Sequence, residues 1–126
     1  MGNIRSFREL PVWQKGLEVA MRVLELTGRF PAEERYSLTE QLHRASRSVP
    51  ANIAEAWRKR RCPAAFVSKL NDAEGEAAET QTHLEIVMRC RYLGVAEARE
   101  LGPACGEILA MLTDMAAHPE QWTIRK

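Results

Sequence analysis

Residues 38–61, Leu-Thr-Glu-Gln-Leu-His-Arg-Ala-Ser-Arg-Ser-Val-Pro-Ala-Asn-Ile-Ala-Glu-Ala-Trp-Arg-Lys-Arg-Arg, decide the fold class. Apolar side chains recur there every three or four residues, which is the spacing of one face of an α-helix. On a helical wheel of about 100° per residue they fall within about 40° of the first one. These positions are Leu38, Leu42, Ala45, Val49 and Ala56. The stretch therefore predicts a helix that buries one stripe in a core.

Two residues inside this helix need a structural account. Pro50 has no N–H, so the carbonyl of Ser46, one turn earlier, loses its helical partner, and we expect helix 2 to be kinked near Pro50. Asn52 lies near the core stripe, where an unpaired amide costs about 1–3 kcal/mol. The free carbonyl of Ser46 is a candidate partner. We interpret Pro50 and Asn52 as structural residues, in preference to a ligand-binding role for Asn52.

The same helical spacing extends over the rest of the chain, with Pro11 and Pro63 as helix starts and Gly28 and Gly94 as helix stops. Helices are predicted at about residues 10–28, 35–60, 63–92 and 96–117, followed by a loose tail over 118–126. Their expected core positions are Trp13, Leu17, Ala20, Leu24 and Thr27 in the first helix, Phe66, Leu70, Ala73, Ala77, Thr80, Leu84 and Val87 in the third, and Leu101, Ile108, Leu112 and Met115 in the fourth. Gly102-Pro103 marks either a kink in the fourth helix or its true start.

The chain has no run that alternates with period two and no hairpin dipeptide such as Asn-Gly, so nothing predicts a sheet. The connections between helices are short, which favours antiparallel neighbours. We therefore predict a single all-α domain, an antiparallel up-down-up-down four-helix bundle over residues 1–126.

Composition excludes several classes of protein. The chain has 126 residues, of which 45% are hydrophobic and 28% charged, as in an ordinary globular domain. No apolar run reaches the length of about 18 residues that a membrane span needs, and the first residues do not resemble a secretory signal. We expect a cytoplasmic protein without membrane contact. The three cysteines have no spacing typical of zinc or redox sites.

Charge is unevenly distributed, although the formal net charge is only +1. Residues 43–61 carry a local balance of +5, and residues 71–85 carry −5. Cations at a helix end suit phosphate groups, which makes the basic residues a candidate nucleic-acid surface. They are Arg44, Arg47, Arg58, Lys59, Arg60 and Arg61. The alternative is a solvated helix end, where cations favour the helix dipole. Trp57 either stacks on a base or lies at the core edge.

The acidic residues suggest a second use of charge. Asp72, Glu76 and Glu79 follow an outer strip of the third helix, and Gly75 in the same strip permits close approach of another backbone. A basic second helix in one copy can therefore pair with the acidic third helix of the next. Such head-to-tail contacts close into rings. Asp72, Gly75, Glu76 and Glu79 are the candidate subunit interface.

No catalytic, cofactor or metal site is predicted. Glu40 and His43 match the Glu-x-x-His of di-iron bundles, but the corresponding fragment at Thr80-Gln-Thr-His83 lacks the glutamate, and Glu40 points away from the core stripe. The sequence contains no GxSxG, glycine-rich phosphate loop or HExxH. We therefore expect that the protein is not an enzyme.

Two motifs resemble a known family, the four-helix-bundle 23S rRNA intervening-sequence proteins. They are Val12-Trp13-Gln14 and Ser48-Val49-Pro50-Ala51-Asn52-Ile53-Ala54-Glu55, and the resemblance covers about residues 4–93. It implies a four-helix bundle that assembles as a homopentamer. A relative of that family is the accessory variability determinant of diversity-generating retroelements, a basic barrel that binds nucleic acid and a reverse transcriptase. This sequence departs from the family pattern at Ser37, His43 and Ala56.

The sequence thus predicts a non-enzymatic oligomeric scaffold that binds RNA, DNA or a nucleic-acid enzyme such as a reverse transcriptase. The alternative is a self-assembling module whose basic residues are consumed by contacts between subunits, with no nucleic-acid binding. These two functions differ in their dependence on salt, since phosphate contacts weaken steeply as ionic strength rises.

Overall fold

The computed structural model describes residues 4–124, which form four α-helices joined by short connections. The helices are α1 (Pro11–Thr27), α2 (Leu38–Arg58), α3 (Pro63–Arg89) and α4 (Val95–Ala117), and 3₁₀ turns lie at Phe7–Glu9, Ala32–Glu34 and Pro119–Gln121. Each helix packs against the next one along the chain, and α4 packs against α1. The described part of the chain contains no strand, so the predicted all-α four-helix bundle is confirmed. None of these helices is long and apolar enough to cross a membrane.

Proline and glycine mark the helix boundaries. Pro11 and Pro63 occupy the first positions of α1 and α3, where a missing N–H costs nothing. Gly94 precedes α4 and donates its N–H to the carboxylate of Glu97 at 2.9 Å. Because α4 begins at Val95 and continues through Pro103, that proline does not mark the start of the helix.

The end of α3 carries an unusual backbone conformation. Arg91 has φ 63°, in the left-handed region that favours glycine. Its N–H donates to the carbonyl of Met88 at 3.0 Å, and the N–H of Tyr92 donates to the carbonyl of Val87 at 2.9 Å. These two bonds form a Schellman motif that closes the helix. An arginine therefore holds a conformation that costs more than it would for glycine.

The core positions predicted for α3 and α4 are confirmed. All seven α3 positions are buried, in agreement with a seven-residue repeat. The four predicted α4 positions are also buried, together with Cys105. In both helices the spacing of the predicted apolar residues identifies buried positions.

The core stripe predicted for α1 is wrong at two positions, because Leu17 and Leu24 are exposed. The buried positions are Val12, Gly16, Val19, Ala20, Val23, Leu26 and Thr27. Helix α1 carries two adjacent apolar stripes with the same spacing, and spacing alone cannot select between them. Gly16 lies at the contact with α2, where an added Cβ would be 3.5 Å from Cδ of Pro50. The buried stripe is the one that packs against α2.

Helix α2 buries Leu42, Ala45, Val49 and Ala56 as predicted, and Leu38 is half-buried. The helix continues through Pro50, which is itself buried, and a bend there stays a prediction. Asn52 donates its Nδ2 to the carbonyl of Ser48 at 2.9 Å, not to that of Ser46. A side chain on a helix reaches the carbonyl four residues earlier, whereas the carbonyl six residues earlier lies on another face.

Residues 118–124 differ from the loose tail that the sequence predicts. Trp122 is half-buried and packs against the core. The N–H of Ile124 donates to the carbonyl of Arg60 at 3.0 Å. The segment docks because the indole offers apolar surface that the bundle end can cover. Residues 125–126 of the predicted tail lie outside the described residues.

Candidate nucleic-acid interface

The cations between α2 and α3 lie at one end of the bundle, together with the start of α1 and the end of α4. We call the four residues Arg58, Lys59, Arg60 and Arg61 the basic end. Arg58, Lys59 and Arg61 are exposed. Within residues 4–124 none of these three forms an ion pair, whereas Arg22, Arg44 and Lys69 each pair with carboxylates. Three positive charges at this end are therefore available to a partner.

Arg60 differs from its neighbours because it folds back onto its own helix. Its guanidinium lies 3.5 Å from the centre of the Trp57 ring, and its Nε donates to the Trp57 carbonyl at 2.8 Å. Burial, and then the charge of Arg58, lower the pKa of Arg60. Trp57 itself is buried, so the structure agrees with the core-edge role and not with base stacking. The predicted run of four cations thus presents three of them.

The two predicted cations in the middle of α2 have local partners. Arg44 contacts Glu76 at 3.3 Å and also pairs with Glu79, both on α3 of the same chain. The charge of Glu76 is the main cause of a raised pKa for Arg44. Arg47 is exposed, and its Nε donates to the carbonyl of His43 at 3.2 Å. Neither residue is close in sequence to the basic end, and Arg44 is already neutralised.

The predicted acidic strip on α3 is engaged within the chain. Besides Glu76 and Glu79, which pair with Arg44, Asp72 lies 3.6 Å from Nζ of Lys69. The strip borders an open groove of about 450 Å³ between α2 and α3, which is lined by Asn52, Asn71, Asp72, Gly75, Glu76 and Glu79. An added Cβ on Gly75 would meet no atom within 4 Å. A subunit contact at this strip stays a prediction. Glu76 and Glu79 share Arg44. Asp72 shares Lys69 with Glu55, so the strip keeps a negative charge.

A second groove, of about 330 Å³, adjoins the basic end. Its lining residues are Phe7, Ala54, Glu55, Arg58, Lys59 and Lys69. Lys69 pairs with Glu55 at 2.7 Å, and this hydrogen bond is the main cause of a lowered pKa for Glu55. Sequence analysis missed Phe7 and Lys69 as site residues. The topology of the predicted bundle could have identified Phe7, because short connections in an antiparallel four-helix bundle bring the start of α1 next to the end of α2.

Local contacts hold Phe7 at the edge of this groove, which we call the Phe7 groove. The hydroxyl of Ser6 accepts a hydrogen bond from the N–H of Arg8 at 3.2 Å, and the carboxylate of Glu9 accepts one from the N–H of Ser6 at 3.0 Å. Ser6 and Glu9 thus form a capping box at the start of the 3₁₀ turn. The Phe7 ring packs edge-on against Trp13 with centroids 5.3 Å apart. The guanidinium of Arg8 lies over the Phe7 ring, 5.4 Å from its centre, so Phe7 is held by Trp13 and Arg8 and a base can stack only on the face away from Arg8.

An apolar surface lies on α1, away from the basic end. Leu17, Met21 and Leu24 are 39%, 57% and 43% exposed and follow one another at spacings of four and three residues. They line an open hollow of about 660 Å³ together with Glu18, Arg22 and Glu25. We call these three apolar residues the α1 stripe. Two of them, Leu17 and Leu24, are the positions that were wrongly predicted in the core.

Reactive side chains are few among residues 4–124. No three His, Cys, Asp or Glu side chains of this range come together in a metal-binding arrangement. Burial raises the pKa of the Cys105 thiol to about 11, which keeps it protonated at neutral pH. His43 lies 2.5 Å from the Thr27 hydroxyl, and its pKa is lowered by burial and by Arg47. Absence of enzymatic activity stays a prediction.

Comparison with known proteins agrees with the fold and the resemblance. The family model described as 23S rRNA-intervening sequence protein matches residues 8–114. A crystal structure at 1.70 Å of a protein of unknown function from the S23 ribosomal protein family of Bacteroides thetaiotaomicron VPI-5482 is similar, with a TM-score of 0.76 and 31% identity. The similarity covers 84% of this chain and 95% of that one. No functionally curated protein matches the sequence.

Proposed function

We propose that this chain, which belongs to the 23S rRNA-intervening sequence protein family, is a non-enzymatic bundle that binds nucleic acid through its basic end. The charges on its surface support this proposal. The observation that carries this proposal is that Arg58, Lys59 and Arg61 are exposed and form no ion pair within residues 4–124. The basic end is distinguished by three such cations close together in sequence, whereas other exposed cations that form no ion pair within this range are dispersed, such as Arg35, Arg47 and Arg99.

Phosphate is the ligand that fits such a cluster. Exposed cations near a helix C-terminus gain only about 0.3–1 kcal/mol each from the helix dipole, and that effect fades beyond the last turn. Lys59 and Arg61 lie beyond α2, so the dipole does not account for them well. A polyanionic strand satisfies several cations at once and releases condensed counterions, which drives binding at low salt.

The test is a binding titration with a short fluorescently labelled single strand of RNA or DNA, followed by anisotropy. The triple variant Arg58→Ala/Lys59→Ala/Arg61→Ala is expected to lose binding. The matched control Arg35→Ala/Arg91→Ala/Arg99→Ala removes the same charge from exposed arginines at the opposite end of the bundle and is expected to bind like the wild type. Equal losses in both variants would mean that net charge, and not the basic end, determines affinity.

Self-assembly is a second proposed property, and it rests on the α1 stripe. Three neighbouring apolar side chains on one helix face form a small contiguous patch of the kind that marks contacts between proteins. A second copy of the chain is the partner we propose for it, and a homopentamer is the stoichiometry that the family resemblance implies. Under the alternative function, the chain also assembles, but its basic residues serve the contacts between subunits and it binds no nucleic acid.

Sedimentation velocity tests assembly. The variant Leu17→Gln/Met21→Gln/Leu24→Gln is expected to sediment as a monomer, because it removes apolar surface that only assembly would cover. The control Ile86→Gln/Val95→Gln changes exposed apolar residues outside the stripe and is expected to keep the wild-type state. A wild-type protein that is monomeric at micromolar concentration would end this part of the proposal.

A further inference from the structure

We infer, on the basis of the proposed nucleic-acid function, that the Phe7 groove is a site for a single strand, in which Phe7 stacks on a base while Arg58 and Lys59 contact the flanking phosphates. This inference goes beyond charge because it assigns a position to a base. Within the basic end, Arg58 and Lys59 line the groove, whereas Arg61 lies outside the groove lining.

The groove combines the two kinds of group that single-strand sites use. Successive bases stack on aromatic rings, and cations follow the backbone. Phe7 is half-buried and borders a space that Arg58 and Lys59 also border. The edge-on contact with Trp13 and the capped 3₁₀ turn fix the Phe7 ring before any ligand arrives. A ring that is already ordered loses little conformational entropy when a base stacks on it.

The balance of charge in the groove favours an anion despite the presence of Glu55. Lys69 holds the Glu55 carboxylate at 2.7 Å, so this pair contributes no net charge. Arg58 and Lys59 remain uncompensated within the described residues. The groove therefore keeps two positive charges beside one aromatic ring.

The groove is open to solvent, and its aromatic ring favours a single strand over a duplex. The bases of a duplex are stacked on each other, so their faces are not available to Phe7. A duplex can therefore contact the groove only through its phosphates, and its binding gains no stacking energy.

The test compares three proteins with labelled single-stranded and duplex oligonucleotides. Phe7→Leu keeps apolar bulk but removes the π face, and it is expected to weaken single-strand binding by about 5-fold to 150-fold, the range for one stacked base. Phe7→Tyr keeps the ring and is expected to retain wild-type affinity. The control Phe30→Leu alters the aromatic contact with Tyr92 at the other end of the bundle and is expected to leave binding unchanged. Thermal unfolding followed by circular dichroism shows that each variant is folded.

Photo-crosslinking of the wild-type chain gives a second measurement that does not depend on any variant. A single strand that contains 4-thiouridine is expected to crosslink to the peptide that contains Phe7. If Phe7→Leu binds like the wild type and no crosslink maps to that peptide, the groove site is wrong although nucleic-acid binding through the basic end stands. If the wild type binds no strand, single or double, the proposed function itself is wrong.

Discussion

The guanidinium of Arg44 on α2 lies 3.3 Å from the carboxylate of Glu76 on α3 of the same chain. Helices α2 and α3 are thus joined by the opposite charges that the sequence suggested for contacts between copies. Among the described residues, unpaired cations remain on α2 at Arg47 and at Arg58, and Arg58 lies beside Phe7. The candidate surface predicted from the sequence included both Arg44 and the basic end, and the pairing of Arg44 leaves the basic end as the proposed site.

Arg44 is expected to contribute little to nucleic-acid binding. Arg44→Ala should leave the affinity for a single strand within about twofold of the wild type, because its charge is already offset by Glu76 and Glu79. The free energy of unfolding in urea should fall by less than about 1 kcal/mol, as expected for an exposed ion pair. A loss of affinity as large as that of the basic-end triple variant would return the site to the middle of α2.

Glu55→Gln is expected to tighten single-strand binding. The substitution removes a carboxylate from the edge of the Phe7 groove and frees Lys69 for phosphate. One charge near the ligand at the protein surface is worth on the order of 1 kcal/mol, which corresponds to about fivefold in affinity. Glu85→Gln, on the same helix as Lys69 but near its other end, is the control, and anisotropy titrations compare the two. Unchanged affinity in Glu55→Gln would place the strand outside the groove.

Arg91→Gly is expected to stabilise the protein. Arg91 holds φ 63°, and glycine adopts this conformation without the steric cost of a Cβ. The free energy of unfolding should rise by about 1 kcal/mol, which chemical denaturation can measure. Arg89→Gly is the opposite case, because the last turn of α3 is ordinary helix, and it should destabilise by about 1 kcal/mol. A destabilised Arg91→Gly would show that the arginine side chain makes a contribution that this account misses.

Gly75 distinguishes the two candidate subunit surfaces. Gly75→Ala should raise the free energy of unfolding by about 1 kcal/mol, because the position is exposed, helical and free of neighbours within 4 Å. Sedimentation should show the same assembly state for Gly75→Arg as for the wild type, since the α1 stripe is the proposed contact. Dissociation of Gly75→Arg into monomers would instead favour the acidic strip on α3.

The hydrogen bonds to the Glu34 carboxylate are expected to make stability depend on pH. The hydroxyl of Ser37 donates to Glu34 at 2.7 Å and that of Tyr92 at 3.0 Å, and these bonds lower the pKa of Glu34. A lowered pKa in the folded state stabilises the protein above the ordinary glutamate pKa of about 4.5, and this effect is lost as pH falls through the folded-state value. Ser37→Ala should be less stable than the wild type at neutral pH, and the difference should shrink in acid. Ser68→Ala, an exposed serine, should show no such trend.

The fold was predictable where a helix has only one apolar face. The repeat in α3 from Phe66 to Val87 identifies its buried residues without error, since no competing stripe exists. In α1 two stripes have equal spacing, and the choice depends on the contact between Gly16 and Pro50, which is tertiary. Local sequence cannot contain that information.

The candidate site was predictable only in part for the same reason. The cations from Arg58 to Arg61 are visible as a run, but the folding of Arg60 onto Trp57 depends on how the tryptophan ring is packed. The pairing of Arg44 depends on the register of α2 against α3. Phe7 lies about fifty residues from the run in sequence and joins it only through the packing of the helix ends.

The salt dependence of single-strand binding reports how many phosphates the basic end contacts. For a single strand, the logarithm of the binding constant falls with the logarithm of salt concentration by about 0.7 for each phosphate contact. Three available cations at the basic end predict a slope of about −2 for the wild type and a slope near zero for Arg58→Ala/Lys59→Ala/Arg61→Ala. Equal slopes for the two proteins, or no binding by the wild type at low salt, would contradict the claim that the basic end binds nucleic acid.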